Sequence, residues 1–364
     1  MRHLLRTLLT LVVALLCLAC TSTQHQVTVR QELEYRYERP DASTGGDQIL
    51  VIASFSGGGT RAAALAYGVL QELEQAKFTR DGEQRTLLTE LDVISSVSGG
   101  SFPAAYLALH GKEKLLVDFK RDFLHWNLQR RLIPSLLSPR VWVSPRYSRI
   151  DYAADLYDQR LFRRKTFGDL RPRPFLMINA TDMASGDQFS FTDEQFDALG
   201  RRLASQSLAR AVAASSAFPV LLAPILEENK SKSNPVPLRK EILESIDACE
   251  KAPEPMAAMY ADHCAYSRSL KGYAGRGPYL HLLDGGVADN LGVRPIIRSL
   301  QRHDSDFSLP QILARTSAGP GGGHAKGAVV LLIVNARTEA RTSLTTALQR
   351  RLGGESSVSP QAHP

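Results

Sequence analysis

Apolar residues gather along this chain in short unbroken runs. Ile49-Leu50-Val51-Ile52-Ala53 is the first, followed by Leu91-Asp92-Val93-Ile94-Ser95, Pro174 to Asn179, Tyr279 to Leu283 and Ala328 to Val334. Such runs, bounded by turn residues, predict strands buried on both faces. Helical pattern lies between them, in the Ala- and Leu-rich stretch Arg61 to Glu74 and again from Phe102 to His110. Strands alternating with helices predict a parallel sheet covered on both faces.

The opening of the chain is patterned differently. Arg2 and Arg6 precede an uncharged, mostly apolar stretch from Thr7 to Ala19, about thirteen residues and too short to cross a bilayer of roughly 30 Å. A basic start, a short apolar centre and a small residue before a cut describe a secretory signal. The cut falls between Ala19 and Cys20, and the sequence there resembles a bacterial lipobox, in which the cysteine thiol receives a diacylglycerol. Cys17 stands where a lipobox prefers Leu. An ordinary signal peptide cut nearby, with a soluble periplasmic product, is the alternative. Thr21 rather than Asp follows the cysteine, which by resemblance to lipoprotein sorting implies the outer membrane. The expected organisation is a signal peptide over 1–19, a polar flexible tether over 20–46 and a folded domain over 47–350. That domain carries a polar excursion at 227–277, and a disordered tail over 351–364 follows it.

Charge narrows the choice of partners. Removing residues 1–19 takes away two arginines and lowers the net charge from +7 to +5. That is mildly basic and spread along the chain, suited to an anionic lipid surface and not to nucleic acid. No later apolar stretch has the length of a spanning helix. Of four cysteines, two lie in the signal region, while Cys249 and Cys264 sit close together in a polar segment. In an oxidising compartment a disulfide between them is expected. Two free thiols are the alternative, and a zinc site with His263 lacks the paired short spacings.

The apolar runs end in sharp turns, where open α/β sheets hold their ligands. The first turn is Ser56-Gly57-Gly58-Gly59-Thr60-Arg61. Consecutive glycines leave backbone N–H groups uncovered, and the helix start behind them adds its positive dipole end. Gly57, Gly58 and Gly59 are therefore a candidate anion nest. The loop has neither the Gly-Lys-Ser/Thr of a phosphate loop nor G-x-G-x-x-G, so an oxyanion fits better. The second turn, Ser96-Val97-Ser98-Gly99-Gly100, fits the nucleophile elbow G-x-S-x-G except at Ser96. An elbow holds its serine on a strained strand-to-helix turn, which makes Ser98 the candidate nucleophile. Ser101 lies one turn into the helix, and Ser95 and Ser96 are expected to hydrogen-bond locally. The third turn, Asp284-Gly285-Gly286, closes an apolar run. An Asp at the sheet's carboxyl edge is partly desolvated and becomes a better base. Asp289-Asn290 is read as the cap of the next helix.

In this order, the GGG-x-R loop, the S-x-S-G-G elbow and Asp-Gly-Gly resemble the patatin-like phospholipases. Residues 174–182, Ala214-Ser215-Ser216-Ala217-Phe218-Pro219 and 284–292 resemble blocks of the bacterial branch, and the likeness runs from about Ile49 to Val334. The resemblance implies a three-layer α/β/α sandwich with a mostly parallel central sheet. It implies a Ser–Asp dyad working without histidine, metal or other cofactor. By position, Ser98 is the nucleophile, Asp284 the base, Gly57 to Gly59 the oxyanion loop and Arg61 its supporting arginine. The implied substrate is a phospholipid or other lipid acyl ester, cleaved as by a phospholipase A or lysophospholipase from a membrane that the N-terminal lipid engages. Two departures from the pattern are Ser96 in place of the usual elbow glycine and a chain that ends soon after its last strand.

Two other readings use the same residues. An α/β-hydrolase triad of Ser98, Asp284 and His303 or His324 has a workable chain order. A non-catalytic envelope lipoprotein could keep the fold to bind a lipid or partner. His281, three residues before Asp284, points to the opposite face of its strand. The stretch from Lys112 to Arg149 interleaves Phe119, Phe123, Trp126, Leu132, Leu136 and Trp142 with Lys120, Arg121, Arg130, Arg131 and Arg140. It reads either as a contact at headgroup level or as helices packed on the sheet with a charged outer face.

Overall fold

The computed structural model describes residues 49–80, 82–133, 141, 143–144, 147–219, 222–238, 240–251, 261–301 and 328–337. All belong to the unit Glu34–Pro364. The expected signal peptide, Cys20, the tether, the tail, His303 and His324 lie outside the described residues.

The apolar runs form the strands of one sheet. In chain order these are β1 (Ile49–Phe55), β2 (Lys77–Arg80), β3 (Glu83–Thr86), β4 (Leu91–Val97), β5 (Phe175–Asp182), β6 (Gln188–Ser190), β7 (Ile225–Glu228), β8 (Tyr279–Asp284) and β9 (Ala328–Val334). β2 and β3 make a separate hairpin, and the rest order as β7-β8-β5-β4-β1-β9 with β6 also on β5. β9, β1, β4 and β5 are parallel, while β8 is antiparallel to both β5 and β7. Five of the seven strands thus point one way, and β6 and β8 oppose them. Helices on both faces complete a three-layer α/β/α sandwich. The main ones are α1 (Gly59–Gln75), α2 (Ser101–His110), α3 (Lys112–Phe119), α4 (Leu128–Leu132), α5 (Arg149–Tyr157), α6 (Leu208–Ser215), α7 (Lys240–Lys251), α8 (Ala261–Gly272) and α9 (Arg294–Gln301).

Several strands outlast their apolar runs because buried polar side chains find distant partners. β1 continues through Ser54, whose Oγ donates to the Leu291 carbonyl at 2.5 Å. β4 continues through Ser95 and Ser96, whose hydroxyls donate to the carbonyls of Gly292 at 2.6 Å and Met177 at 3.2 Å. The expectation of local bonding at these serines is corrected: both bridge to other elements. β5 reaches Asp182, which is buried against Arg276. Burial without such partners would cost about 1–3 kcal/mol per group.

The helices bury apolar stripes at helical spacing. α1 turns Ala62, Ala63, Ala66, Tyr67, Leu70 and Leu73 inward. In the stretch after Lys112, Phe119 and Phe123 are core residues, and Phe123 stacks on Phe102 with centroids 4.2 Å apart. Trp126 and Leu132 pack against the same core, while Arg130 and Arg131 are exposed. Those two phenylalanines are therefore packed on the helices α1 and α2, Phe119 against Tyr67 and Tyr106 and Phe123 against Phe102, and not at a headgroup contact. Leu136, Arg140 and Trp142 lie outside the described residues.

The polar excursion at 227–277 begins inside the sheet. Glu227 belongs to β7 and is buried, ion-paired to Arg201 and accepting a hydrogen bond from Gln206 at 3.1 Å. A buried, partnered glutamate reads as loop in sequence, which hid this strand. Beyond it, α7 and α8 are joined by a disulfide between Cys249 and Cys264, with Cα atoms 5.5 Å apart. Replacing both cysteines with serine is expected to lower stability by up to about 3 kcal/mol, the chain-entropy value for a loop of 15 residues. Denaturant titration measures this, and mapping of unreduced protein should recover both cysteines in one linked fragment. Two free thiols would contradict it.

Candidate active site

The turn after β4 stands in a conformation that few side chains adopt. Val97 is still extended, but Ser98 has φ 49°, a left-handed geometry costing about 1–2 kcal/mol for a residue with a Cβ. What holds it there is a chain of buried hydrogen bonds. Ser98 N–H donates to Ser215 Oγ at 2.8 Å, and Ser215 Oγ–H donates to the Asn179 carbonyl at 2.6 Å. With that proton committed, Ser101 must be the donor in its 3.1 Å contact with Ser215. Asn179 Nδ2 donates to Ser95 Oγ and to the Ser96 carbonyl, and its Oδ1 accepts from Ser190. Ser215 and Asn179 were not singled out as site residues in the sequence. The blocks 174–182 and Ala214 to Pro219, which contain them, were the signals near these roles.

Asp284 reaches Ser98 from the opposite strand direction. Asp284 stands level with the carboxyl end of β4, the sheet edge expected of it, but its strand was expected to run parallel and β8 is antiparallel to its neighbours. Val97 pairs with Asn179 and Asp284 with Ala180, so β4 and β8 both end at one level of β5. Ser98 Oγ donates to Asp284 Oδ2 at 2.7 Å, and Gly286 N–H donates to Oδ1 at 2.8 Å. Both oxygens are thereby fixed. Ser98 and Asp284 are each only 6% exposed. Burial pushes the Asp284 carboxyl above its ordinary value, and the hydrogen bonds from Ser98 and Gly286 offset part of that rise. His281 is exposed on the other face of β8.

The glycine loop divides into two parts. Gly57 N–H is already used, donating to the Asn290 carbonyl at 3.0 Å. This corrects its expected place among the oxyanion donors. Its glycine identity has a packing cause, since a Cβ there would lie 2.4 Å from Asn290 Oδ1. Gly58 and Gly59 are exposed, with φ 138° and 64°, and open α1 beside Ser98. N–H groups in a first helical turn have no partner within the helix, which leaves these two suited to an anion. Arg61 is exposed in the same turn. Asn290 is a site residue missed in sequence. Its neighbour Asp289 does cap α9, accepting from Arg294 N–H at 2.8 Å.

A cavity of about 710 Å³ opens over Ser98 and Asp284. Gly58, Gly59 and Asn290 line it beside the dyad, and Phe102, Phe123, Leu128, Leu132, Tyr157 and Leu222 supply apolar lining. Ile133, Phe218 and Val287 line it too while remaining more than half exposed, as residues at a mouth would be. Among the described residues, no histidine lines it. A serine hydrogen-bonded to a carboxylate, beside free helix-start N–H groups and an apolar cavity, is equipped for acyl transfer to and from an ester with a long apolar chain.

Residues 53–297, which include both turns and Asp284, match the profile of a family described as patatin-like phospholipase. No curated protein matches the chain. Among solved structures, human GIVD cytosolic phospholipase A2 is similar at 13% identity with a TM-score of 0.41, covering 84% of this chain and 48% of that one. The chain thus spans about half the length of that structure.

The contact between the two turns makes a prediction about stability. A Cβ on Gly99 would lie 2.0 Å from the Gly59 carbonyl oxygen, whereas one on Gly68 in α1 meets nothing within 4 Å. Gly99→Ala is expected to cost about 1–3 kcal/mol through overpacking. Gly68→Ala should gain about 0.5–1 kcal/mol from helix propensity. Thermal unfolding of the two variants should show melting temperatures moving in opposite directions. A tolerated Gly99→Ala would mean that the turns are not pressed together.

Proposed function

This chain belongs to the patatin-like phospholipase family, and from that membership we propose that it hydrolyses lipid acyl esters with Ser98 as nucleophile and Asp284 as general base. The observation that most supports this is the 2.7 Å hydrogen bond from Ser98 Oγ to Asp284 Oδ2 beside the apolar cavity. Asp284 takes the hydroxyl proton as Oγ attacks the ester carbonyl. The resulting oxyanion faces the N–H groups of Gly58 and Gly59, donors worth roughly 3–4 kcal/mol each in other hydrolases. Collapse expels the alcohol, which takes the proton from Asp284 and leaves an acyl-serine. Water deprotonated by the same carboxylate then releases the fatty acid and restores Ser98.

A carboxylate base works only when ionised, and burial raises the pH at which Asp284 ionises. The acid limb of kcat/KM is therefore expected above the ordinary carboxylate range. For an acid whose folded pKa is raised, the associated stability is fully present below the unfolded pKa and lost as pH climbs through the folded one. Asp284→Asn removes that loss, so at neutral pH it should fold at least as stably as wild type. Its activity should fall roughly a thousandfold or more, as should that of Ser98→Ala. Gln at His281, His303 or His324 should each leave most of the rate. A silenced but folded His303→Gln or His324→Gln would instead favour the triad.

We further propose that Cys20 carries a diacylglycerol and holds the enzyme at the cell envelope, at the outer membrane given Thr21. The motivation is the short apolar leader that ends at this cysteine. Cys20→Ser should abolish metabolic lipid labelling and move the protein to the soluble fraction. Unchanged labelling would exclude the anchor.

A further inference from the structure

The opening of the cavity over Ser98 is rimmed by apolar side chains that the fold leaves in water. Ile133 follows α4, Phe218 lies beyond the end of α6, and Val287 sits in the short helix Gly286–Asp289. All three line the one cavity, and each is more than half exposed. Side chains this exposed add little to folding, and apolar groups gathered at one opening mark a surface that meets lipid or protein. Charge favours the lipid. Residues 123–150 contain no Asp or Glu but five arginines, Arg130, Arg131, Arg140, Arg146 and Arg149. Residues 211–226, which hold Phe218, carry no charged side chain. Residues 285–293, which hold Val287, carry only Asp289, buried and accepting from the N–H groups of Leu291 and Arg294. None of these three segments therefore offers an exposed carboxylate. On α4, Arg130 and Arg131 are exposed between the lining residues Leu128 and Leu132.

Resting on the hydrolase reading above, we infer that this rim docks on an anionic lipid surface, with Ile133, Phe218 and Val287 entering the apolar layer and Arg130 and Arg131 held at headgroup level. Long basic side chains beside apolar ones suit that boundary. A rim without carboxylates meets the negative surface potential unopposed. The opening then faces the lipid, and an ester passes from the layer into the cavity without crossing water. The charge requirement belongs to the surface and not to the molecule that is cleaved.

Flotation with vesicles of non-hydrolysable diether lipids tests this. The full chain carries Cys20→Ser, which removes any N-terminal lipid, and every comparison is made within that chain. Vesicles mixing dialkyl glycerophosphoglycerol into dialkyl glycerophosphocholine should bind it about tenfold more tightly than vesicles of the glycerophosphocholine alone, as two cations near an anionic surface allow. Arg130→Gln combined with Arg131→Gln should bring the two vesicles to within about twofold of each other while sparing the rate on a water-soluble ester. Ile133→Ser and Phe218→Ser, both at exposed positions, should each weaken binding to either vesicle by roughly fivefold. Binding that is absent, or that Ile133→Ser and Phe218→Ser leave unchanged, overturns the inference, as does an anionic preference that survives the arginine changes. A chain that ignores vesicles but dimerises in sedimentation, with Phe218→Ser abolishing the dimer, assigns the rim to a second copy and overturns it too. Vesicle binding as expected, with no hydrolysis of any ester, removes the hydrolase reading alone.

Discussion

The hydrogen bond from Ser98 Oγ to Asp284 Oδ2 joins residues 186 apart in the chain, and much of the fold serves to bring its ends together. β4 carries the serine in from one direction, and β8, running antiparallel, carries the aspartate in from the other. Neither strand end would suffice alone. Ser98 holds a left-handed backbone because Ser215 accepts its N–H, and Ser215 is itself tied to β5 through the Asn179 carbonyl. The glycine loop then presses on the elbow from the remaining side, with Gly99 against the Gly59 carbonyl. Gly99 is a consequence of that closeness, whereas Gly59 answers to its own φ of 64°.

Burial links this geometry to chemistry. A carboxylate in water is a weak base, and desolvation is the dominant effect raising that of Asp284. The same burial disfavours the charge that catalysis would use, so the site opposes stability at neutral pH. The two hydrogen bonds to Asp284 offset part of this cost while fixing the carboxylate's orientation. The oxyanion donors differ in this respect: Gly58 and Gly59 are exposed, so an acyl chain filling the apolar cavity would have to displace the water that competes for them.

Much of the fold was legible because buried parallel strands leave continuous apolar runs, and β1, β4, β5, β8 and β9 were all visible in this way. Their ends were not, since Ser54, Ser95, Ser96 and Asp182 are buried by partners far away in sequence. β7 escaped notice for the same reason, through the paired Glu227. Ser98 and Asp284 stood out because glycine turns at strand ends are conspicuous. The direction of β8 did not, for pattern records burial and not orientation. Gly57 was grouped with Gly58 and Gly59 because composition cannot reveal that the Asn290 carbonyl has already taken its N–H. Ser215, Asn179 and Asn290 act through contacts that only the folded chain creates.

The central claim is that the acyl group passes through Ser98. Brief incubation with a slowly deacylating lipid ester, an acid quench and fragment-resolved mass spectrometry would test it most directly. The account predicts one acyl group, placed by fragment ions on Ser98 and absent from Ser101. Fatty acid release with the acyl group on Ser101 or on a histidine would contradict it, as would release with Ser98 never modified under conditions that trap acyl-enzymes.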